Sequence, residues 1–368
     1  VKIIGKMTLN RNIDNYHTES EQVAFNPANL IPGIDVSNDP VLQGRLLAYQ
    51  TAQQHRIGVN HQELPINQPV CPFHHNQRRG PMRFRIDTDQ VNYRNNSLAE
   101  NSPYTSRSEE GGYDHYPKKM DGHSIQARSK SFTDYFTQPR IYWNSLSPIE
   151  QQHIIEAFSF QLGKVKSTTI RQKNVNLLVK IDQRLANEVA LNIGVNAPVG
   201  EPVQVSTRYP SLSQESIAKK PDTLKVGVLI GNDFNGQEVS ETLKYLKEHK
   251  VYVELISDTL QPVTCKTGSN FSIDRTFLTA SPYLVDALYV VGGKVKEKEK
   301  FMYNIRHYIQ VAYDYCKPIA FATSAETYVS ELNNPNQAGL VFAKENKSFH
   351  KDFIQAITQQ RFWERKKH

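Results

Sequence analysis

Two arginines and a tyrosine recur at helical spacing within residues 44–58, a stretch that contains no proline. At about 100° per residue, Arg45, Tyr49 and Arg56 fall within roughly 60° of one another on a helix, with the small residue Ala52 between them. One helix face would then present two guanidiniums and a phenol. Such a face suits a flat anionic ligand, because the arginines can meet negative groups and the alanine leaves room.

The phenol of this set can bind a metal once it loses its proton. A free tyrosine has a pKa of about 10 and is a poor ligand at neutral pH. A guanidinium one turn away favours the phenolate, since opposite charge favours the charged form of an acid. Ferric iron is a hard ion, and tyrosine is one of the known axial haem ligands. The alternative at this spacing is a solvated Arg–Tyr pair or a surface cation–π contact.

The elements that must position these side chains can be predicted from local signals. Asp39 and Pro40 are typical of a helix start, and Gly58 is a usual stop, so a helix is predicted between Pro40 and Gly58. Residues 1–9 and 19–25 are predicted as two strands because short apolar runs alternate with polar residues. The proline- and asparagine-rich stretch between the second strand and the helix is predicted to be a loop.

The stretch from residue 60 to residue 131 has almost no sustained hydrophobic period and is rich in Asn, Arg, Tyr, Ser and Pro. A long segment without regular structure is unusual in a compact isolated domain. Residues 71–75, which contain Cys71, His74 and His75, suggest a metal site. However, no second Cys/His cluster follows at a zinc spacing, so we predict none there.

Ten short stretches, taken in chain order, together resemble one protein family. They are residues 5–12, 21–25, 32–34, 44–49, 55–58, 64–67, 79–82, 132–140, 143–145 and 162–165. In this order they resemble segments of monofunctional haem catalases, and residues 44–58 resemble the proximal haem segment. The last third of the chain resembles the extra domain of large-subunit catalases. The resemblance therefore covers essentially all 368 residues.

The resemblance implies a cofactor, a reaction and an assembly. Tyr49 would be the axial ligand of a haem iron, Arg45 would lie against the phenolate, and Arg56 would contact a haem propionate or the same ligand network. Hydrogen peroxide would be the substrate, with water and oxygen as products, and the intact protein would be a homotetramer. Thr51 and Ala52 depart from the family pattern, which usually has an acidic residue and a threonine there.

The resemblance also implies that the distal histidine and asparagine of catalases lie upstream of these segments. None of the twelve histidines occurs in the distal context of the family. We therefore assign no catalytic residue in this chain. Peroxide chemistry needs a general base to move a proton, so we predict negligible catalase activity for the chain alone. The alternative function is that of a non-catalytic catalase remnant that acts as a structural or interaction protein.

Composition excludes several partner classes. The net charge of +7 permits nucleic-acid binding, but the basic residues are scattered, and no recognition motif accompanies them. Cys71, Cys265 and Cys316 are far apart and odd in number, which indicates a reducing compartment without a disulfide framework. The sequence contains no signal peptide and no apolar run near 18 residues. We predict a cytoplasmic protein with neither a nucleic-acid nor a membrane partner.

The predicted fold class is α+β and is divided into four parts. Residues 1–145 would form the remainder of an antiparallel catalase barrel, the proximal haem helix and a wrapping segment. Residues 146–202 would form a helical layer, with a start signal at Ser147 and a helical period that continues to about Ala190. Residues 203–223 would be a linker. In residues 224–368 strands alternate with helices, which predicts an α/β domain with a parallel, doubly wound sheet.

This last domain resembles the flavodoxin-like domain of class I glutamine amidotransferases. Such sheets bind ligands at the carboxyl ends of their strands. The related enzymes carry a nucleophilic cysteine in the turn where this chain has Thr323, followed by Ser324. Cys316 is expected on the wrong side of the strand, so a hydrolase-like activity is the less favoured hypothesis and a structural role is expected. Residues 231–236 do not match the dinucleotide fingerprint, which argues against NAD.

Overall fold

The computed structural model describes residues 4–30, 34–69, 80–86, 91, 93, 95–98, 109, 117, 119–123, 125–128, 130–325, 328–329, 332 and 337–366. The chain divides into two compact units, a first unit within residues 2–128 and a second unit within residues 129–368. Among the described residues, no helix has both the length and the apolar character needed to cross a membrane.

The first unit is built around helix α1, Pro40–Arg56. Asp39 caps its start, because the carboxylate oxygen Oδ1 accepts a hydrogen bond from the Leu42 backbone N–H at 2.8 Å. Pro40 occupies the first turn, where no N–H is needed. Gly58 follows the last turn with a φ of +134°, which a side chain would disfavour. The predicted helix is therefore confirmed.

The two strands predicted before this helix are wrong in the described part of the unit. Residues 4–9 are irregular, and Ile4 and Leu9 are 99% and 88% exposed. Ser20–Gln22 is instead a 3-10 turn. A strand is stable only when a neighbouring strand takes up its backbone hydrogen bonds. The described residues of this unit contain no strand to serve as that neighbour, so the predicted antiparallel barrel is not formed in them.

Hydrogen bonds of polar side chains hold the described part of the first unit together. Its buried residues are Gln53, Asn60, His61 and Val91, three of them polar. Asn67 joins two segments, since Oδ1 accepts from the Ala24 N–H at 2.8 Å while Nδ2 donates to the carbonyls of Gln22 and His61 at 2.9 and 2.8 Å. Burial of apolar surface is the main favourable term in folding, and here it contributes little.

The second unit begins with a layer of four helices: α2, Thr137–Ser145; α3, Pro148–Gly163; α4, Thr168–Leu178; and α5, Gln183–Ile193. Ser147 and Glu150 form a capping box at the start of α3, as the start signal predicted. The helical period that continued to about Ala190 is divided between α4 and α5, because Asp182 caps a new helix start. Buried apolar side chains fill the layer, among them Trp143, Ile155 and Val189.

The chain after this layer, residues 203–223, contains two short 3-10 turns, Pro210–Leu212 and Gln214–Ser216. It is attached to α3 through the same glutamate that caps the helix. The Glu150 carboxylate accepts hydrogen bonds from the Ser213 hydroxyl and the Gln214 N–H, both at 2.8 Å. The Glu150 side chain thus caps the start of α3 and also holds the segment of residues 203–223.

The rest of the second unit is a three-layer α/β domain. Its helices are α6, Gly236–Glu248; α7, Lys298–Asp314; and α8, Phe349–Gln359. Its strands are β1, Lys225–Ile230; β2, Tyr252–Ser257; β3, Val263–Thr264; β4, Asn270–Phe271; β5, Arg275–Thr276; β6, Ala287–Gly292; β7, Ile319–Phe321; and β8, Leu340–Phe342. Apolar side chains from both faces of the sheet form one large buried cluster.

The main sheet has the strand order β5-β2-β1-β6-β7-β8, and all its pairs are parallel. Strands β3 and β4 form a separate antiparallel pair. The parallel, doubly wound sheet is therefore confirmed. Without the two-residue edge strand β5, the five longer strands follow the order 2-1-3-4-5 in chain sequence. The order reverses between β1 and β6, which creates a crevice at their carboxyl ends.

Lys317 lies buried beside the amino end of β7, with 3% of its surface exposed. Its ammonium donates hydrogen bonds to the carbonyls of Pro282, Tyr283 and Val285 at 2.8, 3.2 and 2.6 Å. Burial, together with the nearby Arg361 guanidinium, lowers the pKa of Lys317 from 10.5 to about 8.

This lowered pKa predicts a pH dependence of stability. Between pH 8 and pH 10.5 the unfolded chain binds more protons at Lys317 than the folded chain does, so the free energy of unfolding rises with pH. Relative to Lys317→Met, the wild type should gain up to about 1.4 kcal/mol per pH unit in this window. Urea unfolding at pH 7 to 10.5 measures the difference. Lys347→Met, at an exposed lysine, is the control, and parallel curves for wild type and Lys317→Met would contradict the prediction.

Candidate functional site

The Arg45 and Tyr49 side chains meet on the surface of α1, one turn apart. Arg45 Nη2 donates a hydrogen bond to the Tyr49 phenol oxygen at 2.8 Å. The guanidinium carbon lies 4.8 Å from the centroid of the tyrosine ring, within cation–π range. Arg45 is exposed and Tyr49 is half-buried. The spacing predicted that the pair would share a helix face, and the structure brings its polar atoms into direct contact.

The chemistry of this pair fits a ferric porphyrin. A guanidinium only donates hydrogen bonds, so the phenol oxygen must accept here and keeps a lone pair for another partner. When deprotonated by a bound metal, this phenol would be a hard oxygen ligand, the kind that ferric iron accepts. A haem group would bring most of the ligands of its iron itself, so the single oxygen of Tyr49 would be enough for this chain to hold it.

Arg56 lies two turns further along α1 and binds the chain that precedes the helix. Its Nε donates to Gln53 Oε1 at 3.0 Å, its Nη1 donates to the Glu21 carbonyl at 3.1 Å, and its Nη2 contacts the Val23 carbonyl. The sequence predicted a contact with the cofactor or with the ligand network. In this structure the guanidinium is part of a network of backbone and side-chain hydrogen bonds.

Phe25 connects this network to the tyrosine. Gln53 Nε2 donates to the Phe25 carbonyl at 3.0 Å, and Asn26 Nδ2 donates to Gln50 Oε1 at 3.3 Å. The Phe25 ring meets the Tyr49 ring edge-on, with centroids 6.0 Å apart and planes at 81°. Sequence reasoning missed Phe25 and Gln53, because their contacts span many residues and follow no period. The cluster at residues 71–75 lies outside the described residues.

The carboxyl edge of the α/β sheet, a second candidate site, is bridged by its own backbone. Asn232 and Lys294 exchange N–H to carbonyl hydrogen bonds of 2.8 and 2.6 Å between the loops that follow β1 and β6. The Asp233 carboxylate and the Lys294 ammonium add an ion pair of 2.5 Å across the same position. Doubly wound sheets bind ligands at this place. Here hydrogen bonds within the chain join the two loops across it.

The residues that could replace a nucleophilic cysteine lie beside this edge. Thr323 donates from both its N–H and its hydroxyl to the Glu238 carboxylate, at 2.8 and 3.2 Å. The carboxylate therefore anchors the loop after β7. Cys316 is fully buried at the opposite end of β7, as predicted, and burial raises the pKa of its thiol.

Three family models match successive parts of the chain. The first, described as catalase, matches residues 1–100. The second, described as catalase-related immune-responsive, matches residues 129–193. The third, described as the C-terminal domain found in long catalases, matches residues 222–367.

Curated proteins are similar over nearly the whole chain. A catalase of Alkalihalophilus pseudofirmus is 47% identical over 366 residues, which covers 99% of this chain and 54% of that protein. Catalase-2 of Bacillus subtilis is 43% identical, with 100% of this chain and 54% of the relative covered. Catalase HPII of Pseudomonas aeruginosa is 36% identical, with 99% and 52% covered. The chain therefore spans about half the length of the curated relatives it matches.

Proposed function

Because this chain belongs to the family of large-subunit catalases, we propose that it supplies the proximal haem ligand of an enzyme that converts hydrogen peroxide to water and oxygen. The hydrogen bond from Arg45 to the Tyr49 phenol carries this proposal. Tyr49 is the proposed iron ligand, and Arg45 donates a hydrogen bond to its phenol oxygen. Arg56 belongs to the site through the ligand network, because it holds the segment that contacts the tyrosine.

The chemistry divides between the cofactor and the protein. Haem, when bound, supplies the iron at which one peroxide is reduced and a second is oxidised, so that two peroxides give two waters and one oxygen. Tyr49 would hold the iron through its phenol oxygen, and Arg45 would orient that oxygen through its hydrogen bond. Moving a proton between the peroxide oxygens requires a general base. In the proposed enzyme this base and a distal asparagine belong to protein outside this chain, so the chain alone should show negligible turnover.

The composition of the first unit supports the proposal that it functions within a larger assembly. Its described residues bury three polar side chains and a single valine, while many large apolar side chains stay exposed, including Met7, Leu47 and Phe84. Burying these side chains against other protein would be favourable, because removal of apolar surface from water stabilises an assembly. We propose that the rest of a catalase subunit and neighbouring subunits of a homotetramer cover them, with residues 60–131 as the wrapping segment.

The α/β domain is proposed to be flavodoxin-like and structural. The order 2-1-3-4-5 of its longer strands is the order of that fold. The bridge between Asn232 and Lys294 supports a role without a ligand in the crevice.

The division into residues 1–145, 146–202, 203–223 and 224–368 remains part of the proposal. The free, buried Cys265 and Cys316 support a reducing, cytoplasmic location.

Haem titration of the purified chain tests the proposed function. Wild-type chain should bind ferric haem with the absorption of a ferric-phenolate complex. Arg45→Gln should weaken haem binding about 10- to 100-fold, because partners that orient and charge a metal ligand have effects of this size. Arg11→Gln, at an exposed arginine of the same unit, is the matched control and should bind like wild type. A wild-type chain without haem absorption would favour the catalase remnant instead.

A further inference from the structure

Phe25 occupies a position that packing in a core does not explain. It is 61% exposed, yet its backbone is fixed and its ring meets Tyr49 edge-on. A large, mostly exposed aromatic side chain gains little from burial. The contact with the tyrosine ring is therefore the specific interaction that its placement provides.

Two side chains of α1 determine where this ring lies. Gln53, itself buried, donates to the Phe25 carbonyl at 3.0 Å and accepts from Arg56 at 3.0 Å. Arg56 in turn binds the carbonyls of Glu21 and Val23. The segment before Phe25 is thus tied to the helix through backbone atoms, so its path does not depend on which side chains it carries.

The tyrosine ring is consequently restrained from two directions. The Arg45 guanidinium lies over one face, 4.8 Å from the centroid. The Phe25 ring meets it at 81° with a centroid distance of 6.0 Å, the edge-to-face geometry that aromatic pairs prefer. Contacts on two sides limit rotation of the ring about its side-chain bonds. They fix the direction in which the phenol oxygen points.

We propose that Phe25 is a positioning residue for the Tyr49 phenol, held in place by Gln53 and Arg56. This inference rests on the proposed function, because it assumes that Tyr49 is a metal ligand. The contacts of Phe25 with Tyr49 do not depend on that assumption. A metal ligand works best when neighbouring groups fix its orientation before the metal arrives. Without Phe25 the phenol would remain one turn from Arg45 but would sample more than one direction.

Fluorine NMR of the chain labelled with 3-fluorotyrosine tests the positioning without any cofactor. The Tyr49 signal is assigned by its absence in Tyr49→Phe. Phe25→Leu should shift and broaden this signal while the signals of the other tyrosines stay in place, which also shows that the variant is folded. Phe25→Trp keeps an aromatic edge and should restore a sharp signal. Phe84→Leu, at a phenylalanine that is 76% exposed in the same unit, is the control and should leave it unchanged.

Gln53 and Arg56 should act through Phe25. Arg56→Gln should shift the Tyr49 signal, but in a chain that already carries Phe25→Leu it should add little, as expected for residues in one chain of contacts. In a haem titration, Phe25→Leu should weaken haem binding about tenfold and alter the ferric-phenolate absorption. A Tyr49 signal unmoved by Phe25→Leu would overturn the proposal. If wild type binds no haem, the proposed function fails, while the NMR result still decides the positioning.

Discussion

Tyr49→Phe is expected to abolish the ferric-phenolate absorption of the haem-bound chain. The variant removes one oxygen and leaves the ring, so the edge-on contact with Phe25 and the cation–π contact with Arg45 can persist. Iron then has no axial oxygen from this helix, and a phenyl ring cannot replace it. We expect haem affinity to fall at least about 100-fold, the upper range for changes around a metal ligand. Absorption spectra recorded during a haem titration measure both effects.

Tyr16→Phe is the matched control, because Tyr16 belongs to the same unit and is 60% exposed. It removes the same atom and should leave haem binding at the wild-type level. A Tyr49→Phe chain that kept the wild-type spectrum would show that another residue binds the iron. The assignment of this helix as the proximal haem segment would then be wrong.

Gly339→Ala should destabilise the α/β domain by about 4 kcal/mol, the sum of two costs. Gly339 has a φ of +70°, a conformation that costs an alanine energy. An added Cβ would also overlap the ring of Phe362, which is 8% exposed. Neither partner can move easily, since the Gly339 carbonyl accepts from the Ile319 N–H at 3.0 Å and the Phe362 N–H donates to the Cys316 carbonyl at 2.8 Å. Urea unfolding followed by circular dichroism measures the loss.

Gly194→Ala separates the two costs of that substitution. Gly194 ends α5 with a φ of +67°, nearly the same backbone conformation, but an added Cβ there meets nothing within 4 Å. It should lose only about 1–2 kcal/mol. The excess at Gly339 should disappear in part when Phe362→Leu is introduced as well, because a smaller side chain leaves room. Equal losses at Gly194 and Gly339 would show that the ring of Phe362 moves aside freely.

The sequence was most informative where structure depends on neighbours in the chain. Residues 225–230 read as a buried strand because a parallel strand with helices on both sides is apolar throughout. Helix α1 follows from its cap and its stop. The contact between Arg45 and Tyr49 follows from a separation of four residues, which any helix brings onto one face.

It was least informative where structure depends on distant partners. Residues 4–9 and 19–25 carry strand-like patterns, but a strand pattern cannot show whether a neighbouring strand exists. Gln53 meets Phe25 across 28 residues, and Glu238 meets Thr323 across 85 residues. Both contacts join a side chain to a backbone atom of a distant segment. Such a contact does not depend on which side chain the distant segment carries. The sequence therefore gives no signal that predicts it.

The bridge between Asn232 and Lys294 restricts how a binding pocket could evolve at the carboxyl edge of the sheet. Its two hydrogen bonds run between main-chain atoms, and almost every amino acid carries the same N–H and carbonyl groups. Point substitutions at Asp233 or Lys294 can remove the ion pair, but they leave the backbone connection in place. Opening a small-molecule pocket there would take an insertion or deletion that rebuilds a loop, a rarer evolutionary event than exchanging one side chain.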